Sequence, residues 1–269
     1  MDVIQFIERA AAAPSLLLAT DFDGTIAEIT AVSGGAAAAP VALQALQALS
    51  RAPGTTVAVV TGRTIHDVAA RTAALDAVWL VGEHGAEVAA PGGALVYQAE
   101  APVELLDALE RDADEIARRV PAFWVQRKRC SIALHWRLVA ADDRPAAFAA
   151  LEAWTGAARR RGLVVMEGRS IHEARDAAHD KGGALAFVLA RLPPGTLVVY
   201  AGDDTTDEPA IAHARANGGV GVYIASSERP VPRVQPDLTL DEPQAWSALL
   251  RELAARRGGL VSAAALRSA

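Results

Sequence analysis

Short apolar runs that end abruptly in polar motifs recur along the chain. The first, in PSLLLATDFDGT, ends in acids and glycine, and the next, in TTVAVVTGRT, ends in Thr61, Gly62 and Arg63. AVWLVGEHGAE, GTLVVYAGDDTTDEPAI and GGVGVYIAS continue the pattern. A continuous apolar run bounded by turn residues is typical of a strand buried on both faces in a parallel sheet.

Helical periodicity between these runs gives an alternating order of elements. Residues 41–49 show it, and Thr64 is a suitable N-cap for a helix after the second run, with Asp67 three residues further on. Strands that alternate with helices predict an α/β fold with a doubly wound parallel sheet, of which GGVGVYIAS is expected to form the last strand. Each polar motif after a strand then falls at the carboxyl end, where such sheets bind ligands.

The middle of the chain breaks this alternation. Its predicted elements are a helix at 103–120, a strand at 131–139, a helix at 145–161 and a hairpin with Gly168-Arg169 near its turn. This order predicts a smaller α/β layer with its own open sheet. We expect an inserted cap at residues 101–175, which interrupts a core formed by residues 1–100 and 176–269.

Composition narrows the class of protein. Hydrophobic residues make up 52% of the 269 residues, which allows a substantial core, and the net charge of −6 argues against a nucleic-acid or acidic-membrane partner. The single cysteine, Cys130, excludes an internal disulfide, and no apolar run is long enough for a signal segment or a membrane span. We therefore expect a cytoplasmic protein. The sequence does not show the oligomeric state, and we expect a monomer with an oligomer left open.

Four motifs carry groups that phosphate-ester hydrolysis requires. Asp21 can attack phosphorus as a nucleophile, while Asp23 can protonate the leaving group and then activate water. Gly24 allows the main chain to approach a phosphate closely. Thr61 can donate a hydrogen bond to a phosphate oxygen, and Lys181 supplies a fixed positive charge.

The acidic residues predict a divalent cation. Four acids fall within residues 203–208, and they repel one another unless a cation or a basic partner is near. Mg²⁺ prefers hard oxygen ligands, which Asp21, the carbonyl of Asp23 and Asp203 can supply.

Each motif alone also has an ordinary structural explanation. Asp-X-Asp-Gly is common in turns and in calcium loops, Thr61-Gly62-Arg63 fits a helix N-terminus, and an isolated Lys181 fits a solvated helix. The occurrence of all four motifs in this order favours the catalytic interpretation.

This order of motifs resembles the haloacid-dehalogenase-like hydrolase superfamily, through TDFDGT, VVTGR, HDKGGAL and YAGDDTTDE. The resemblance implies an aspartyl-phosphate intermediate, and it places a substrate-selecting α/β cap where this chain has its insert. The roles that it implies are nucleophile for Asp21, general acid/base for Asp23, phosphoryl contacts for Thr61 and Lys181, and magnesium ligand for Asp203, with Asp204 and Asp207 in support.

Within that superfamily the chain is most similar to trehalose-6-phosphate phosphatases, through GEHGAE, KRCSIALHWR, MEGRSIHEARDAAHDKGGAL and YAGDDTTDE. This likeness implies hydrolysis of trehalose 6-phosphate to trehalose and phosphate, the last step of trehalose biosynthesis, with Mg²⁺ as cofactor. The chain departs from the family pattern at Thr61, Trp136 and Asp176, where serine, tyrosine and proline are common. None of these changes removes a catalytic group.

The insert is expected to contact the sugar. Alternation along residues 131–137 predicts one small, polar strand face and one apolar face, and carboxylates and amines suit sugar hydroxyls. The alternative for the polar side chains is surface ion pairs, such as Glu173 with Arg137. The expected substrate contacts are Gly24, Thr25, Gly62, Arg63, Glu83, His84, Lys128, His135, Arg137, Glu167 and Glu173.

Three other functions stay open. Another sugar phosphate, such as sucrose phosphate, glucosylglycerol phosphate or mannosyl-phosphoglycerate, would fit the same chemistry. A signalling receiver domain also stores phosphate on aspartate, but it needs neither Asp23 as an acid nor so large an insert. A catalytically silent sugar-binding protein would not need all four motifs.

Overall fold

A computed structural model describes residues 1–28, 36–120, 122–168, 170–226, 229 and 231–265, with side chains as far as residue 258. Arg169, expected near a hairpin turn, lies outside the described residues. The chain forms two compact units. The core unit comprises Met1–Gln98 and Asp180–Ala269, and the inserted unit comprises Ala99–His179.

The core unit is built on an eight-stranded sheet. Its strands are β1 (Leu16–Thr20), β2 (Thr55–Val60), β3 (Val78–Gly82), β4 (Glu87–Ala89), β5 (Leu95–Gln98), β10 (Leu197–Gly202), β11 (Val220–Ile224) and β12 (Leu238–Leu240). The order across the sheet is β12-β11-β10-β1-β2-β3-β4-β5. Strands β12 to β3 pair in parallel, whereas β4 and β5 add an antiparallel edge.

Helices pack on the core sheet, and they are α1 (Val3–Ala12), α2 (Pro40–Ser50), α3 (Ile65–Arg71), α6 (Lys181–Leu189), α7 (Glu208–Ala216) and α8 (Pro243–Ala265). Successive residues of β1 alternate between two buried clusters. Leu18 joins the cluster that contains Leu46 and Trp246, whereas Leu17 joins the one that contains Leu185. Both faces of the strand are therefore buried, which explains its unbroken apolar run.

The inserted unit is a four-stranded antiparallel sheet packed against two helices. Its elements are α4 (Val103–Arg119), β6 (Trp124–Arg127), β7 (Ser131–His135), α5 (Arg144–Arg160), β8 (Val164–Gly168) and β9 (Ile171–Arg175), and the sheet order is β6-β7-β9-β8. Ile132 and Leu134 of β7 pack with Leu109 of α4 and Trp154 of α5. The apolar face of β7 thus meets the helices.

Some expected elements need correction. Strands β6 and β12 were not predicted, and β12 follows β11, which was expected to be the last strand. Both are short, so that period-two alternation has few positions in which to show itself. The strand predicted at 131–139 ends at His135, because the chain then turns and the Val139 N–H donates to the carbonyl of Trp136 at 3.1 Å.

None of the helices in the described part of the chain has both the length and the apolar character that a membrane span requires.

Candidate active site

Four neighbouring parallel strands of the core unit end in predicted motif residues. Asp21 follows β1, Thr61 follows β2, Glu83 follows β3 and Asp203 follows β10. The carboxyl ends of parallel neighbours lie at one edge of the sheet, which is where open α/β sheets bind ligands. The Asp21 N–H donates to the carbonyl of Ala201 at 2.8 Å and holds the ends of β1 and β10 together.

A buried lysine joins residues that are far apart in the sequence. Lys181 is the first residue of α6 and 2% exposed, and its Nζ donates to Asp21 Oδ1 at 2.8 Å and to Asp207 Oδ1 at 2.7 Å. The helix begins there because the side chain of Asp180 accepts a hydrogen bond from the Gly183 N–H at 2.7 Å, as an N-cap does. The start of α6 therefore delivers the ammonium group to the sheet edge.

Asp207 organises the loop that follows β10. Its Oδ2 accepts hydrogen bonds from the main-chain N–H groups of Asp203 at 3.2 Å and Asp204 at 3.0 Å. Asp204 in turn forms an ion pair with Arg229 at 3.0 Å. Gly202 is needed for this arrangement, since a Cβ there would lie 2.2 Å from Asp207 Cγ.

Tyr200 is a site residue that the motif analysis missed. Its buried hydroxyl donates to Asp207 Oδ1 at 2.6 Å, and burial, followed by the charge of Asp207, raises the tyrosine pKa well above its usual value. A tyrosine inside an aliphatic strand run was the available signal, because a buried phenol usually requires a hydrogen-bond partner.

Asp21, Asp203 and Asp207 form a cluster of buried carboxylates, with one oxygen from each within 4.8 Å of the others. Gly24, with φ +82°, comes so close that a Cβ there would lie 2.1 Å from Asp203 Oδ2. Beside it, the hydroxyl of Thr25 is buried without a hydrogen-bond partner in the described part of the chain. Clustered carboxylate oxygens are the donor set that Mg²⁺ prefers, so these residues fit a divalent cation.

The charges of this cluster do not balance. Burial, followed by the charge of Asp207, raises the pKa of Asp21 well above its ordinary value, although Lys181 acts in the opposite direction. Burial alone would lower the pKa of Lys181, but the charges of Asp207 and Asp21 raise it, so the amine stays protonated. Three carboxylates around this lysine leave a negative excess that a divalent cation can offset.

Arg63, which was expected to contact the substrate, is paired in the structure with the carboxylates of Asp23 and Asp67. Its Nε and Nη2 donate to the two carboxylate oxygens of Asp23, each at 2.6 Å, and its Nη1 donates to Asp67 at 2.6 Å. Burial would lower the pKa of Arg63, but the hydrogen bond and the charge of Asp23 raise it. Arg63 therefore orients Asp23, an arrangement that the sequence did not predict.

The segment after β3 packs against the segment after β2. Glu83 and His84 are buried and have φ of 45° and 56°, the left-handed region that few side chains adopt. The His84 N–H donates to the carbonyl of Thr61 at 2.9 Å, and a Cβ at Gly62 would lie 2.5 Å from the imidazole. The structure thus brings these four predicted residues together.

The inserted unit contains a second buried lysine–carboxylate cluster. Lys128 Nζ donates to the two oxygens of Glu173 at 2.8 and 2.7 Å, and Ser131 Oγ donates to one of them at 2.5 Å. Both charged side chains are less than a tenth exposed. Two of the predicted sugar contacts are therefore joined in one ion pair.

His135 lies near this pair. Its Nε2 is 3.1 Å from Gln126 Oε1, and its ring contacts that of Trp124 at an interplanar angle of 32°, with centroids 4.3 Å apart. Burial, followed by the positive charge of Lys128, lowers the pKa of His135 to about 4. The imidazole is therefore neutral at pH 7 and can both donate and accept a hydrogen bond.

Glu167 and Arg137 do not belong to the cluster that Lys128 forms with Glu173. Glu167 lies opposite His172 in the strand register, and Arg159 of α5 donates to it at 3.2 Å, so it faces the helices. Glu173 is the next residue along β9 and therefore faces the other side of the sheet. Arg137 follows β7 and is exposed. Glu167 and Glu173 therefore lie on opposite faces of the sheet, and a sugar contact for each stays a prediction.

Comparison with known proteins identifies the family. A family model described as trehalose-phosphatase matches residues 19–244. The chain belongs to the trehalose-phosphatase family. This confirms the resemblance that the motifs indicated, and it includes both the core motifs and the inserted unit.

Curated relatives of this trehalose-phosphatase family member are longer proteins. A trehalose-phosphate phosphatase of Mycobacterium marinum is 37% identical over 217 residues, which cover 77% of this chain and 53% of that protein. An uncharacterized glycosyl hydrolase of Mycobacterium tuberculosis is 36% identical over 245 residues, which cover 87% of this chain and 18% of that protein. The chain thus spans about half and about a fifth of these relatives.

Solved structures support the fold. The C-terminal domain of a trehalose-6-phosphate phosphatase from C. albicans superposes with a TM-score of 0.82 at 18% identity, covering 94% of this chain and 97% of that one. A haloacid dehalogenase-like hydrolase from B. subtilis gives 0.62 at 16% identity, covering 88% and 98%. The predicted α/β fold, with a doubly wound sheet and a smaller inserted α/β unit, is confirmed.

Proposed function

We propose that this chain hydrolyses trehalose 6-phosphate to trehalose and phosphate through an aspartyl-phosphate on Asp21. One observation carries the proposal. In a chain of the trehalose-phosphatase family, the buried carboxylate of Asp21 shares Lys181 with Asp207 and lies beside Asp203. This combination supplies a nucleophile, a fixed cation and oxygen ligands at one edge of the sheet.

In the first step, an Asp21 oxygen forms a bond to phosphorus while the bond from phosphorus to the sugar oxygen breaks. Asp23 gives its proton to the departing oxygen as a general acid. Lys181 neutralises phosphoryl charge. Thr61 Oγ1 accepts a hydrogen bond from the main-chain N–H of Arg63 at 3.2 Å, so the hydroxyl can donate its own hydrogen to a phosphoryl oxygen.

In the second step, Asp23 takes a proton from water, and the water oxygen attacks the phosphorus of the aspartyl-phosphate. The bond from phosphorus to Asp21 breaks, and inorganic phosphate and the free carboxylate are released. The fork of Arg63 holds the Asp23 carboxylate in a defined orientation before substrate binds. When substrate binds, Asp23 must leave this fork and take up a proton from solvent, which the first step gives to the sugar oxygen and the second step restores from water.

We propose Mg²⁺ as the cofactor, since the carboxylate cluster fits a hard divalent cation. Asp21, Asp203 and the main-chain carbonyl of Asp23 would hold it. When bound, the ion would offset the negative charge of the phosphoryl group and of the carboxylates. Asp207 already accepts hydrogen bonds from several donors, so it serves, with Asp204, to hold the ligands in place.

We propose sugar contacts for each unit separately. Lys128, His135 and Glu173 offer donors and acceptors on the inserted unit, and Glu83 and His84 do so on the core unit. Such groups match sugar hydroxyls, which both donate and accept. A cytoplasmic, monomeric enzyme remains the prediction.

The test is phosphate release from a substrate panel with and without Mg²⁺. It contains trehalose 6-phosphate, sucrose phosphate, glucosylglycerol phosphate, mannosyl-phosphoglycerate and p-nitrophenyl phosphate. Trehalose 6-phosphate should have the highest kcat/KM. A faster reaction with another sugar phosphate would make the sugar assignment wrong, whereas no turnover of any monoester would refute the phosphatase itself.

A further inference from the structure

A buried hydrogen-bond chain connects helix α8 with the proposed nucleophile. Trp246 Nε1 of α8 donates to Thr20 Oγ1 at 3.2 Å, and Thr20 Oγ1 donates to the main-chain carbonyl of Asp21 at 3.0 Å. Trp246 and Thr20 are both 0% exposed. The two ends of this chain of contacts are 225 residues apart. Trp246 belongs to no sequence motif considered above, and Thr20 opens the TDFDGT motif but was given no role there.

We propose that Thr20 and Trp246 are positioning residues, which hold the main chain of Asp21 so that its carboxylate is aimed at phosphorus. The inference rests on the proposed function of Asp21 and adds two residues to it. Neither residue touches the reacting atoms, so both act through the peptide group of Asp21.

The position of Asp21 in the chain explains why such support is needed. The residue stands one position beyond β1, where the regular strand ladder ends. Its N–H is held by the carbonyl of Ala201 at 2.8 Å, and its carbonyl is held by the hydroxyl of Thr20. Both main-chain polar groups of the nucleophile are thus fixed. In-line attack depends steeply on geometry, and a shift of about 1 Å can lower a rate on the order of 100-fold.

The chemistry of the two side chains suits this role. A threonine hydroxyl has one hydrogen, which goes to Asp21, and lone pairs, one of which accepts from the indole of Trp246. The ring of Trp246 also packs against Phe6, with centroids 6.0 Å apart. The indole N–H fixes the rotamer of Thr20, while the ring body fills the core.

A set of matched variants separates positioning from stability. Thr20→Val keeps the shape and removes the hydroxyl, Thr20→Ser keeps the hydroxyl, and Trp246→Phe keeps an aromatic ring and removes the N–H. The control is Trp154→Phe, because buried Trp154 also donates its indole N–H, to the carbonyl of Leu109 at 3.1 Å in the inserted unit. Each variant is assayed at saturating Mg²⁺ with trehalose 6-phosphate and p-nitrophenyl phosphate, and its melting temperature is recorded.

Thr20→Val is expected to lower kcat by about 10- to 100-fold on both substrates while KM changes by less than about 2-fold. Thr20→Ser should restore kcat to within about 3-fold of wild type, and Trp246→Phe should lower it by about 3- to 10-fold. The double variant Thr20→Val/Trp246→Phe should be no slower than Thr20→Val by more than about 2-fold, because both act through one contact. Trp154→Phe should lower the melting temperature and leave kcat within about 2-fold.

Wild-type kcat in folded Thr20→Val would overturn the positioning role, as would a loss of kcat in Trp154→Phe equal to that in Trp246→Phe. If Thr20→Val does not fold, Thr20→Ser and Trp246→Phe decide, and wild-type kcat in Trp246→Phe overturns the role. If the wild type hydrolyses p-nitrophenyl phosphate but not trehalose 6-phosphate, only the proposed sugar is refuted. The kcat values of the variants are then compared with p-nitrophenyl phosphate as the substrate. A wild type inactive on every monoester refutes both.

Discussion

Each unit of the molecule buries a lysine against carboxylates, but the balance of charge differs. In the core unit, Lys181 lies among the three clustered aspartates, and their negative charge exceeds its positive charge. In the inserted unit, Lys128 forms a two-pronged ion pair with Glu173, to which Ser131 adds a neutral hydroxyl. One cluster carries excess charge, and in the other the two charges of the pair cancel.

This difference separates two kinds of chemistry. An uncompensated buried cluster is costly unless a cation joins it, so it suits metal-assisted work on a phosphoryl group. A compensated pair is less costly to maintain, and it presents hydrogen-bonding groups without a strong field. Neutral sugar hydroxyls match the second kind of site.

The strongest test of the core cluster is Asp21→Asn. An amide cannot act as the nucleophile, so kcat should fall by at least about 1,000-fold in a phosphate-release assay. The melting temperature should be unchanged or higher, since the substitution removes negative charge from a crowded buried site. Turnover by purified, folded Asp21→Asn protein at a tenth of the wild-type rate would end the assignment.

Removal of Mg²⁺ should abolish the activity that depends on the core cluster, without any mutation. Chelation with excess EDTA should lower phosphate release by about 100-fold or more, because the excess negative charge then opposes the phosphoryl group, and added Mg²⁺ should restore it. Asp203→Asn should raise the Mg²⁺ concentration needed for half-maximal rate. Full activity after exhaustive chelation would contradict a metal role for these residues.

The inserted cluster is tested by Glu173→Gln, with Glu167→Gln as the matched control. Loss of the Glu173 charge leaves Lys128 uncompensated, so kcat/KM for trehalose 6-phosphate should fall by about 10- to 100-fold. Hydrolysis of p-nitrophenyl phosphate should stay within about 3-fold, since it has no sugar to select. Glu167→Gln should leave both substrates within about 3-fold; the reverse result would restore the sequence-based role of Glu167.

The smallest expected effect concerns acid stability. His135 has a pKa of about 4 in the folded chain against 6.5 as its ordinary value. Between these values the unfolded chain binds a proton that the folded chain does not, so stability is complete above pH 6.5 and falls as the pH drops towards 4. Between pH 7.5 and pH 5.0, the melting temperature measured by calorimetry should fall by a few degrees less in His135→Gln than in wild type. Each kcal/mol of lost stability corresponds to a shift on the order of 2–4 °C. Equal losses would exclude His135 as a source of acid sensitivity.

Local patterns of apolar and polar residues were sufficient to predict the central strands and the edge of the sheet at which they end. Strands buried on both faces, such as β1 and β10, read as continuous apolar runs, and a parallel sheet brings their carboxyl ends to one edge. The proximity of Asp21 and Asp203 follows from that edge. Lys181, at the start of α6, could be expected nearby only through the order of the motifs.

Contacts that depend on side-chain placement were not predictable in this way. The two-pronged ion pair between Arg63 and Asp23 joins two segments, and the sequence does not show how far apart these lie in space. The hydrogen bond from Tyr200 needs the turn after β10 to bring Asp207 back over the strand end. The orientation of Glu167 is set by the β8–β9 register, which depends on the turn and not on composition.

Strand β1 pairs with β10 on one side and with β2 on the other, so segments from before and after the insert meet in the middle of the core sheet. The insert leaves the core after the edge strand β5, and the core resumes at Asp180, directly before Lys181 at the start of α6. A different insert joined at this point would therefore have to preserve the start of α6, where the Asp180 cap and the contact from Lys181 to Asp21 are made. A chimera that carries a foreign insert between β5 and α6 would separate what the insert contributes to substrate choice from what the core residues contribute to the reaction.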